Sequence, residues 1–150
     1  MRPSLTFDPL DGSVAISGVP IRLRGGLSRE AVSSALAPLY RSSLDHGNGY
    51  EWLSFHGGTF GGHPCGFALL FRQGSMTEIH FNVMLPDAEM ENGWPTKGAI
   101  DDEVAFARKE LSTQLGAEIG DRGVTFSWGA AWSTFDPKGF QASSGVRYAG

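Results

Sequence analysis

Five side chains have the chemistry of metal ligands or nucleophiles: His46, His56, His63, Cys65 and His80. Zinc sites draw on close Cys or His pairs in two knuckles, and this spacing supplies none. Strand parity also opposes a shared shell. If Phe67 faces the core then so does Cys65, whereas His80 alternates with Phe81 and points the other way. The expectation is a buried, inert thiol with surface histidines, and neither metal nor cofactor. A Cys-His nucleophile pair needs a partly exposed thiolate beside a cation, but Cys65 follows Pro64 inside a strand pattern. No Gly-x-Ser-x-Gly elbow exists, so Ser33-Ser34 and Ser143-Ser144 read as solvated hydroxyls. The stretch Gly57 to Gly62 has no Lys-Ser or Lys-Thr after it and leads into a strand pattern, which makes it a hairpin loop and not a phosphate cradle. Glu78, His80 and Asn82 share the polar face of one strand. Glu78 and His80 could serve a hydrolase or isomerase as an acid-base pair, against the plainer reading of a solvated strand face.

Charge is more informative. Between Asp87 and Glu103 lie six carboxylates, Asp87, Glu89, Glu91, Asp101, Asp102 and Glu103, with one cation, Lys97, and with Trp94 in the middle. An acidic loop around an aromatic anchor suits the docking of a basic protein, because charge steers encounter and an indole supplies a desolvated hot spot. The competing account is structural: Asp101 to Glu103 complement the start of a helix, and Trp94 before Pro95 packs under the loop.

The elements that position these residues follow from periodicity. Leu5 to Asp8, Val14 to Ser17 and Ile21 to Leu23 form a small antiparallel meander, with Asp11-Gly12 as a turn signal. A helix starts after Ser28, its N-cap, carries Val32, Ala35, Leu36 and Leu39 at helical spacing, and ends near Pro38. Alternation then marks three strands through Leu53 and Phe55, through Phe67, Leu69 and Phe71, and through Ile79, Phe81, Val83 and Leu85. A three-residue loop Gln73-Gly74-Ser75 would pair Phe71 with Thr77, Leu69 with Ile79 and Phe67 with Phe81. Pro86 to Gly98 has loop composition. Ile100, Val104, Ala107, Leu111 and Leu115 mark a second helix, opened by Asp101 and closed by Gly116. Val124-Phe126-Trp128 and Phe140 to Tyr148 complete the chain as strands around the turn Asp136 to Gly139.

The order βββ-α-βββ-α-ββ predicts an α+β fold: a mostly antiparallel sheet with two helices packed on it. The predicted core contains Phe55, Phe67, Leu69, Phe71, Ile79, Phe81, Val83, Val104, Leu111, Leu115, Phe126 and Trp128. A 73-residue shift sets Arg24 to Glu30 against Lys97 to Glu103, and His63 to Phe67 against Asp136 to Phe140, the pattern of a weak internal duplication or of convergent turn chemistry.

Composition bounds the rest. The 150 residues, 41% hydrophobic and 19% charged, suit a single domain spanning 1–150. A domain of this size buries roughly 70% of the surface its unfolded chain exposes, so it needs no metal or disulfide staple. Twelve Lys and Arg against sixteen Asp and Glu give a net charge of -4, without the basic field that draws nucleic acid or anionic lipid. One cysteine and a charged start without an apolar signal core point to the cytoplasm, and no apolar run approaches a membrane span.

The second half, through Gly93-Trp94-Pro95-Thr96, Gln114-Leu115-Gly116, Phe126-Ser127-Trp128-Gly129, Ser133 to Gly139 with its Asp136-Pro-Lys-Gly139, and a late Tyr148, resembles a group of small, mostly uncharacterised bacterial proteins. The resemblance implies a bacterial cytosolic protein without a known catalytic motif, and small acidic proteins of this kind are similar, in size and in lack of an active site, to immunity proteins that neutralise secreted toxins. Three functions follow in order. The first is a non-enzymatic interaction protein of the immunity type, docking a basic partner through Asp87, Glu89, Glu91, Trp94, Asp101 and Asp102. The second is a small-ligand binder with a groove between helix and sheet, and the third a hydrolase or isomerase using Glu78 and His80.

Overall fold

The computed structural model describes residues 2–149. An N-terminal meander of β1 (Leu5–Phe7), β2 (Val14–Ile16) and β3 (Arg22–Leu23) leads into helix α1 (Arg29–Ala35), where the Ser28 hydroxyl accepts from the Ala31 N–H, and a 3₁₀ turn at Ala37–Leu39 follows. Four strands come next, β4 (Tyr40–Asp45), β5 (Tyr50–Phe60), β6 (His63–Arg72) and β7 (Ser75–Val83), and then a short hairpin of β8 (Met90–Glu91) and β9 (Trp94–Pro95). Helix α2 (Lys97–Leu115) precedes β10 (Val124–Phe126), β11 (Gly129–Asp136) and β12 (Gln141–Tyr148).

The main sheet has seven strands in the order β10-β11-β12-β7-β6-β5-β4, every neighbouring pair antiparallel. This is the expected α+β class with two helices, but the order βββ-α-βββ-α-ββ needs correction in three places. Tyr40–Asp45 is an added edge strand, every residue of which is exposed, so it carries no alternation to read. The acidic loop folds into the β8–β9 hairpin around Asn92-Gly93, both at positive φ. The chain also reverses at Ser127-Trp128, which splits the stretch after α2 into three strands.

Cross-strand pairing of Leu69 with Ile79 and Phe67 with Phe81 is as expected from the sequence, but Phe71 pairs with Met76 and not Thr77. Gln73 and Gly74 both take positive φ, which makes a tight two-residue turn, and the surplus residue is absorbed as a bulge at Thr77. Gly57 to Phe60 likewise belong to β5, and only Gly61-Gly62 make the turn. The 73-residue shift aligns unlike structure: His63 to Phe67 lie on β6, whereas Asp136 to Phe140 include the turn between β11 and β12.

One face of the sheet is covered by the meander, α1 and α2. Phe55, Phe60, Phe67, Leu69, Ile79 and Phe81 meet Leu5, Phe7, Val14, Ile16, Val32, Ala107, Leu111 and Leu115 there. Phe7 lies 6.0 Å from Phe60 and 5.9 Å from Phe81, ring centre to ring centre. Phe126 and Trp128 stack on each other at 4.7 Å and pack against this core half-buried, at its margin and not inside it as predicted. Among the described residues the opposite face carries no helix, and it is traversed by rows of cross-strand neighbours, one of them Trp132, Gly145, His80, Ala68, Ser54 and Ser42.

Candidate functional site

Helix α2 begins earlier than Asp101. Thr96 is its N-cap, with the hydroxyl accepting from the Ala99 N–H, because a threonine at this position satisfies an otherwise orphaned donor. The first turn holds no acid, so the helix-start role assigned to Asp101, Asp102 and Glu103 does not stand. Asp101 instead pairs with Lys97 at 2.7 Å, one helical turn away, and the Lys97 ammonium also lies 4.6 Å from the Phe135 ring centre. Asp102 is exposed.

Glu103 turns inward. Its Oε2 accepts from the Val83 N–H at 3.1 Å, which ties α2 to the end of β7, and burial pushes its carboxyl up, opposed only by that hydrogen bond.

The hairpin stands over this junction. Thr96 N–H donates to Glu89 O at 3.0 Å, and Trp94 Nε1–H donates to Phe140 O at 3.1 Å, which leans the indole towards the β11–β12 turn. Trp94 is nonetheless 53% exposed, alongside Met84 at 53%, Met90 at 54% and Phe140 at 42%. Two clefts open beside these side chains. One, of about 460 Å³, is lined by Val83, Met84, Asp87, Met90, Pro95 and Glu103 among others. The other, of about 340 Å³, is lined by Trp94, Pro95, Glu103, Phe140 and Gln141 among others. Asn82, Pro95 and Glu103 belong to both.

Of the predicted docking residues, Asp87 and Trp94 therefore reach the clefts, Glu89 and Glu91 are exposed on the hairpin, and Asp101 and Asp102 stay outside both. Sequence reasoning missed Met84, Met90 and Phe140. Their signal was faint: a methionine between two glutamates, and an aromatic directly after the turn glycine Gly139.

The open sheet face holds the other candidate. His80 Nε2 lies 2.8 Å from Glu78 Oε1, and Arg147 Nε lies 3.6 Å from Glu78 Oε2. The hydrogen bond from His80 is the main cause that holds the Glu78 carboxyl below the usual range. His80 is packed edgewise between Trp52 at 4.9 Å and Trp132 at 5.2 Å, and with Asn82 it borders a cleft of about 390 Å³ floored by Gly66 and Ala68. The pair is formed, but its carboxylate is already committed to two cations or donors and its ring is flanked by two indoles. Cys65 faces the other way, fully buried, with its thiol pushed up to about 12 by burial.

No family model and no curated protein matches the chain. Among solved structures, the fold is similar to that of a chain in the complex of Rhs1-CT with its cognate immunity protein RhsI1, with a TM-score of 0.53 and 13% sequence identity over 96% of this chain and 86% of that one.

Proposed function

We propose that this chain is a bacterial, cytoplasmic interaction protein of the immunity type, which docks a basic protein through the β8–β9 hairpin. The observation that carries the reading is the gathering of Met84, Met90, Trp94 and Phe140, all substantially exposed, beside Asp87, Glu89 and Glu91. Monomeric proteins seldom group large apolar side chains at the surface without a partner, and the acidic fringe gives that partner its sign. Fold likeness to a chain of a complex that contains an immunity protein supports the same class.

The test is surface plasmon resonance against the product of each gene that flanks this chain's own, a secreted toxin domain being the expected binder, together with rescue of cells that express it. Asp87→Lys, Glu89→Lys and Glu91→Lys combined should slow association and alter its salt dependence, since loop carboxylates steer more than they stabilise. Trp94→Ala should raise the dissociation rate; an aromatic anchor contributes about 2 kcal/mol, roughly thirtyfold in affinity. Wild-type kinetics in both variants would remove the hairpin from the interface, and absence of binding and rescue would remove the immunity reading.

A further inference from the structure

The larger of the two hairpin clefts has a wall chemistry that its neighbours on the surface lack. Its sides are apolar, formed by Met84, Leu85, Met90, Pro95 and Ala99 with Val83 beside them, while Asp87 stands at its lining and Glu103 belongs to both clefts. No Lys, Arg or His lines either cleft among the described residues. The nearest cation in sequence, Lys97, is committed elsewhere, to Asp101 and the face of Phe135. Glu103 thus lies in a partly desolvated position with a backbone N–H as its only hydrogen-bond donor among the described residues, and burial raises its pKa accordingly. A carboxylate left half-satisfied beneath apolar walls is complementary to a long aliphatic stem that ends in a positive charge.

We propose that this cleft seats a lysine or arginine side chain of the protein partner, its stem between Met84, Met90 and Pro95 and its charged end at Glu103. This deepens the docking reading and rests on it. The volume, about 460 Å³, lies in the range of sites that enclose small groups. Methionine walls adapt to a flexible stem better than branched side chains would. A cation at Glu103 would also supply the partner that Lys97 does not, so the contact becomes a charge-assisted hydrogen bond formed only in the complex.

The test uses the full chain labelled with ¹³C at the methionine methyls. Acetyl-arginine amide and acetyl-lysine amide should shift the Met84 and Met90 signals saturably, at roughly millimolar strength for a single contact. Acetyl-norleucine amide, with a stem and no charge, should not. Glu103→Gln should weaken the titration about tenfold or more, the ratio that follows from losing one hydrogen bond to a charged group, while the methyl spectrum shows the variant folded. Unmoved methyls with both cationic probes overturn the proposal; if charge reversal on the hairpin still slows partner association, docking stands and only the occupant is wrong. Agmatine binding where acetyl-arginine amide does not would assign the cleft to a free amine and also overturn it. Probe binding with a partner indifferent to the hairpin variants would overturn both readings.

Discussion

Two glutamates show how position sets the sign of a pH effect. Burial raises the Glu103 carboxyl above its ordinary value of 4.5, so the folded chain holds that proton to higher pH than the unfolded chain does. Its unfavourable contribution is absent below the unfolded pKa and develops as pH rises through the folded one. Glu103→Gln, which keeps an acceptor for the Val83 N–H, should therefore melt above the wild type at pH 7.5, with the gap closing near about pH 4. Glu78 is the reverse case. Its carboxyl is lowered, chiefly by the His80 hydrogen bond and then by charge, so its stabilisation is present above the unfolded pKa and is lost as pH falls through the folded value. Glu78→Gln should melt below the wild type at pH 7.5 and converge with it in acid. Thermal melts of both variants across pH check the pair, and a common sign for the two would refute the assignment. Cys65 gives a third residue-scale expectation: a thiol pushed up to about 12 inside the core should react with a disulfide reagent at pH 8 only as fast as the chain unfolds.

At the scale of elements, glycines decide which surfaces meet. Gly145 on β12 pairs with Trp132 on one side and His80 on the other, and the Cβ of any other residue would crowd the Trp132 ring and the Ile79 carbonyl. The missing side chain lets the indole cover the strand, where its Nε1–H donates to the Ser143 hydroxyl at 3.1 Å. Gly145→Val should cost about 2 kcal/mol through overpacking and should displace Trp132, visible as a change in tryptophan emission; unchanged stability would show that the strands have room to separate. The strands that could be read from the sequence are those with one buried face: β5, β6 and β7 alternate because a helix and a meander cover one side of them. β4 could not, since none of the residues from Tyr40 to Asp45 is buried and they show no alternation. Nor could the division at Trp128-Gly129, where small residues along Gly129 to Ala131 conceal the start of β11. The hairpin was legible only as charge around Trp94. Glu103 was counted among its acids, but whether a carboxylate turns outward or down into a cleft depends on the element above it, and Asn92-Gly93 gave the one local sign of that element.

At the scale of the molecule, the N-terminal meander is tied to the last strand. The meander has only short strands, yet Leu5, Phe7, Val14, Ile16 and Leu23 enter the same core as the long ones. Three polar contacts hold it there: Phe7 N–H donates to Gln114 Oε1 of α2 at 2.7 Å, Thr59 N–H of β5 donates to Pro3 O at 2.8 Å, and the buried Tyr148 hydroxyl of β12 donates to Gly12 O at 2.7 Å. Gly12 itself sits at positive φ beneath the Trp128 ring, with no space for a Cβ. A segment anchored from a helix, the interior strand β5 and the C-terminal strand has little freedom to open alone, because each opening would expose Phe60 and Phe81 as well as its own apolar side chains. The slowest amides of β1 and β2 should consequently exchange with the same free energy as those of β6. Tyr148→Phe leaves the Gly12 carbonyl buried without its donor, which costs about 1–2 kcal/mol and lowers the melting temperature by roughly 2–6 °C for a domain of this size. If the chain unfolds as one unit, that loss appears equally in the exchange of β6, far from the substitution. Faster exchange confined to the meander, with β6 unchanged, would instead make the N-terminal strands a separately melting flap on an autonomous seven-stranded sheet.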